Sequence, residues 1–160
     1  MIRLVASGAA GQPTRWILAF HRTTDSWLVR LLACGTYKHV TAIAYIREVD
    51  HWVFLDWRFA TIDVIVARGS EADRLMGYYT ANADVLGMEP RQIVSGFRVG
   101  WWCVPMIKHL VGVRGGALRP DALWRDCIRQ GAEVISHEWT EPARHPGRSD
   151  ASPAEAAGGA

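Results

Sequence analysis

His39-Val-Thr-Ala-Ile-Ala-Tyr-Ile46, Arg47-Glu-Val-Asp50 and Trp52-Val-Phe-Leu-Asp56-Trp57 read in succession as strand, polar turn and strand. The two apolar runs are the right length for paired strands, and the turn between them is charged. Both faces of this hairpin are apolar. Val40, Ala42, Ala44, Ile46, Val53 and Leu55 fall on one side, and Ile43, Tyr45, Trp52 and Phe54 on the other. A hairpin with two apolar faces has to be covered twice.

An even-numbered turn sets Thr41 opposite Asp56, which makes Asp56 the diagonal neighbour of His39 on one face. Such neighbours lie roughly 7–8 Å apart at Cα, within reach of an aspartate and an imidazole. An odd turn would send Asp56 to the other face. His51 matches His39 in type but not in place, since it sits at the turn end, over about 20 Å along the strand.

Working outward, Thr14 to Arg22 reads as a buried strand. Thr24-Asp25-Ser26 caps a short helix over 27–33 that Gly35 ends. A β-rich run covers 60–67, and a helix introduced by Ser70-Glu-Ala-Asp73 runs to about Asn82. Further strands are expected over 92–99 and 132–136. Helices are expected from Trp102 or Cys103 to near Gly112, and from Pro120-Asp121 to Gly131. From Glu141 onward there is no aromatic or branched aliphatic residue, so 141–160 reads as a disordered tail. The expectation is one α+β domain over 1–140, a small antiparallel sheet packed against a cysteine-bearing helix.

The chain has 160 residues, 49% hydrophobic and 21% charged, with a formal net charge of +2. That is one domain of ordinary soluble composition. The charge is too small and too scattered to suggest nucleic acid as a partner. No apolar run reaches the roughly 18–20 residues of a membrane span. The first residues read as mature sequence, not a signal peptide, which suits a cytoplasmic or virion-associated location. Gly112-Val-Arg-Gly-Gly116 lacks the ending of a phosphate loop, and no cofactor is expected. The three cysteines, 34, 103 and 127, contain no CxxC spacing, so neither a disulfide framework nor a metal site is expected.

Cys103 falls in the first turn of its helix, where Pro105 is tolerated. Exposed N–H groups and the positive end of the helix dipole stabilise a thiolate there and can hold a developing oxyanion. The plainer reading of Cys103 is a small buried hydrophobe. For His39 and Asp56 the plainer readings are a strand histidine meeting a backbone acceptor and a strand-end carboxylate. Cys127 lies on an apolar helix face and reads as core. Cys34, five residues before His39, is a rival nucleophile. Of the eight tryptophans most read as core, whereas Trp101 and Trp102 are placed to wall a substrate groove.

A thiol, an imidazole and a carboxylate are the parts of a nucleophile, base and orienter. Over roughly 14–136 the order His39-Val, Leu-Asp56-Trp, Cys103-Val-x-x-x-Lys108-x-Leu, Gly112-Val, Arg119-Pro120-x-x-Leu123 and Gly131 resembles the circularly permuted branch of the NlpC/P60 papain-like cysteine hydrolases. The resemblance implies a papain-like domain with Cys103 as nucleophile, His39 as base and Asp56 as orienter. It implies a peptidase or amidase cleaving an amide or acyl bond, with a peptide or acyl substrate such as peptidoglycan. Trp102 and Val104 depart from the Asn, Ser or Thr that many relatives place beside the cysteine. The rival is a non-catalytic bacterial or phage assembly component that keeps the fold.

Overall fold

The computed structural model describes residues 12–24, 34–58, 61–91 and 102–135. Six antiparallel strands form one sheet: β1 (Arg15–His21), β2 (His39–Ile46), β3 (His51–Trp57), β4 (Ile62–Ala67), β5 (Ala83–Met88) and β6 (Glu133–Ile135), in the spatial order β4-β3-β2-β1-β5-β6. Three helices accompany it among the described residues: α1 (Gly69–Thr80), α2 (Cys103–Val111) and α3 (Pro120–Arg129). This is an α+β arrangement.

The hairpin has the even register, with Thr41 opposite Asp56 and Ile46 opposite His51. A short 3-10 turn over Arg47–Val49 closes it, and Asp50 takes the left-handed conformation with its N–H donated to the Arg47 carbonyl. Both faces are covered, as their composition requires. One core gathers Trp16, Leu18, Phe20, Val40, Ala42, Val53 and Leu55 beneath α2 and α3. The other sets Ile43, Phe54 and Ala67 beneath α1, with Tyr79 stacked on Phe54 at 5.6 Å between ring centroids. α1 covers that face because it carries the chain from β4, at one edge, across to β5 on the far side of β1.

The sequence suggests no strand at 83–88 and a preceding helix that runs to about Asn82; the helix ends at Thr80 and β5 follows. Asp84 and Gly87 are poor strand formers, so β5 owes its form to pairing with β1 on one side and β6 on the other. Gly87 has a specific task. The Arg15 guanidinium lies where a Cβ would stand, crossing the strand to reach Glu133 of β6 at 2.5 Å. The last strand is Glu133–Ile135, within the expected 132–136. The expected helix at 27–33, strand at 92–99 and tail at 141–160 lie outside the described residues.

The topology gathers one set of strand ends. β1 ends, and β2, β4 and β5 begin, along the rim where β3 finishes, so His21, His39, Trp57, Ile62 and Ala83 share it. At the outer edge, Ile62, Val64 and Val66 of β4 stay exposed on the side that carries α2 and α3.

Candidate active site

His39 stands first in β2, and Asp56 last but one in β3. Their diagonal relation across the register brings His39 Nε2 to 2.6 Å from Asp56 Oδ1. The second carboxylate oxygen accepts from Arg58 Nε at 3.2 Å, and the same nitrogen lies 3.2 Å from Asp63 Oδ2 on β4. Arg58 follows Asp56 by two residues, on the same side of the chain. That spacing is the one sequence signal that could have found it.

Cys103 comes from the opposite side of the sheet. The pleat groups His39 with Thr41 and Ile43, whereas Cys103 belongs to the core under α2 and α3. They meet because each stands first in its element, at the rim, where a helix end on one face can reach past the last strand residue. The Cys103 thiol lies close enough to the His39 ring to raise its affinity for a proton. With Nε2 given to Asp56, Nδ1 is the nitrogen left for the sulfur.

The helix that delivers Cys103 is held from both ends. Trp102 approaches it in extended conformation, and its indole N–H donates to the Leu118 carbonyl at 3.0 Å. α2 stops at Gly112, and the buried Lys108 ammonium donates to the carbonyls of Gly115 and Ala117 in the loop that follows. The loop before His39 is held by α3, where Asp121 accepts from the N–H groups of Thr36 (2.9 Å) and Tyr37 (3.3 Å).

The charges follow from this packing. Burial opposes protonation of His39, but its hydrogen bond to Asp56, the adjoining Cys103 and the charges of both outweigh it and push the ring up to about 9. Burial also opposes the Asp56 carboxylate; His39, then Arg58, hold it below its ordinary range. At neutral pH the site therefore presents an imidazolium beside a carboxylate, with the Cys103 sulfur next to the ring.

A comparison of the whole chain with protein families, with curated proteins and with solved structures finds no family model, no curated protein and no solved structure that matches it.

Of the residues singled out in the sequence, Cys103, His39 and Asp56 come together. Trp102 stands exposed beside the cysteine, and Trp101 lies outside the described residues. Cys34 is exposed in its loop, while Cys127 is fully buried and burial, with the nearby Asp126 charge, pushes its thiol up to about 12. His51 bonds the Val49 carbonyl at the far end of the hairpin. Two cavities lie away from the three site residues. One, of about 280 Å³, lies beneath α1 between Ile17, Trp52 and Met76; the other, of about 530 Å³, is bordered by Arg91, Arg114 and Gln130. No group of three or more His, Cys, Asp and Glu among the described residues is placed to hold a metal ion.

Sequence reasoning missed His21. It lies opposite His39 across β1 and β2, and the two rings stack with centroids 5.8 Å apart.

Proposed function

We propose that this protein is a cysteine hydrolase of the papain-like, NlpC/P60 kind, a peptidase or amidase that cleaves an amide or other acyl bond such as that of a cell-wall peptide. The supporting observation is the His39 ring shared between Asp56, at 2.6 Å, and the helix-start thiol of Cys103.

Cys103 Sγ attacks the substrate carbonyl carbon, and the carbonyl oxygen takes up the negative charge against the N–H groups at the start of α2. His39 donates its proton to the departing amine or alkoxide as the carbon–leaving-group bond breaks. Water, giving a proton to His39, then attacks the thioester, releases the acid and restores the thiolate–imidazolium pair. Asp56 keeps one ring nitrogen engaged so that the other faces sulfur, and Arg58 holds Asp56.

The second reading, a non-catalytic assembly component, draws on the exposed Ile62, Val64 and Val66. Incubation with an activated ester followed by intact-mass and peptide mapping separates the two. The hydrolase forms a transient acyl adduct on Cys103 that Cys103→Ala abolishes and His39→Ala suppresses. An adduct on Cys34 alone, or none at all, supports the assembly component.

A further inference from the structure

We infer that His21 is a positioning residue of the same site, holding the plane of the His39 ring so that its two nitrogens face Asp56 and Cys103 together. This rests on the reading of Cys103 and His39 as nucleophile and base.

His39 needs its ring edge-on to two partners that come from opposite sides of the sheet. A twist of the ring that improved one contact would lose the other. Asp56 and Cys103 hold edges; neither holds a face. His21 supplies one. It is the cross-strand partner of His39, and its ring lies nearly parallel, 26° from coplanar, at a 5.8 Å centroid separation, within the range of offset aromatic stacking.

The His21 ring is itself anchored. Its Nε2 lies 3.2 Å from Thr41 Oγ1. Thr41 is almost wholly buried, and a buried hydroxyl needs an acceptor for its proton. An unprotonated Nε2 is such an acceptor, so the bond suits a neutral His21. Burial and the neighbouring His39 charge bring His21 down to about 4, against an opposing pull from Asp56. The charged groups acting on His21 are thus His39 and Asp56, and those acting on His39 are Asp56 and Cys103. A neutral ring can lie against an imidazolium; a second cation would be repelled.

The test is the pH profile of Cys103 alkylation by iodoacetamide in the full chain, in four variants. His21→Ala removes plane and anchor. His21→Gln keeps a hydrogen-bonding group towards Thr41 but not the plane. His21→Phe with Thr41→Val restores a plane and leaves no orphaned hydroxyl. His39→Ala tests the underlying reading. The inference expects His21→Ala and His21→Gln to slow labelling roughly tenfold or more and to shift the alkaline limb set by His39, with rates recovered in the double variant.

A slowing by His39→Ala, with unchanged rates and profiles in the His21 variants, overturns this inference alone. Indifference to His39→Ala overturns the hydrolase reading and the inference with it. Should a His21 variant not fold, nitrogen NMR of the wild-type rings decides. A neutral His21 through pH 5–8 supports the stack, and a His21 that titrates near its ordinary value overturns it.

Discussion

Gly35 and Asp121 are packed so closely that a Cβ on Gly35 would lie 2.8 Å from the Asp121 carboxyl carbon, overlapping its oxygens. Gly35 also has φ +119°, outside the range that L side chains adopt readily. This contact lets the start of α3 hold the loop that leads into His39. Gly35→Ala is therefore expected to destabilise the fold by about 1–3 kcal/mol in urea unfolding and to slow Cys103 labelling as well. A substitution as stable as wild type would show that the loop does not depend on this fit.

Exposure alone orders the thiols Cys34, Cys103, Cys127, since Cys103 is only 9% exposed. The contact with His39 reverses the first two. Iodoacetamide at pH 7 is expected to modify Cys103 ahead of Cys34 by roughly tenfold, and His39→Ala should drop Cys103 behind it. Peptide mapping of a time course reads the order directly. Cys34 labelled first in the wild-type protein would count against an activated Cys103.

Asp56→Asn keeps shape and a hydrogen bond but removes the charge that favours the protonated ring. The His39 midpoint should fall from about 9 towards 6.5. Arg58→Gln should weaken this support less, because Arg58 acts on His39 only through Asp56. NMR titration of the His39 ring measures both. A midpoint unmoved in Asp56→Asn would mean that the 2.6 Å contact is not what keeps the ring charged.

The two histidines shape the pH dependence of stability from opposite sides. His39 is raised from 6.5 to about 9, so its contribution is complete below pH 6.5 and is lost as pH rises through 9. His21 is lowered from 6.5 to about 4, so the unfolded chain binds its proton first; its contribution holds above pH 6.5 and is lost as pH falls towards 4. Each pH unit of separation corresponds to about 1.4 kcal/mol. Stability should peak near pH 6.5, and His21→Phe with Thr41→Val should flatten the acid side while leaving the alkaline side. Denaturant midpoints from pH 4 to 9 check it, and an acid limb unchanged in that variant would exclude His21 as its source.

The hairpin was legible because its strands and turn are contiguous: one count, even or odd, sets the facing of Asp56 and His39. Cys103 was legible as a helix start from Pro105 and the apolar run to Gly112. His21 was not. Seventeen residues separate it from His39, and a connection of that length carries no register, so nothing local says which β1 residue faces the base. β5 was hidden for a related reason. Its Gly87 is required by Arg15, a residue more than seventy positions earlier, and looks locally like a break in a strand. The meeting of Cys103 and His39 from opposite faces depends on where the sheet ends, which no periodicity records.

The order of the site along the chain has a consequence for how the protein is made. A ribosome delivers His39 and Asp56 on a hairpin of short-range contacts, the kind that form quickly, and Cys103 leaves the exit tunnel only after α1 and β5. The imidazole and the carboxylate therefore leave the ribosome before the sulfur does. A nascent chain interrupted before residue 103 carries His39 and Asp56 but not the sulfur proposed to act with them, and the residues that brace both, Gly115, Ala117, Leu118 and Asp121, follow later still.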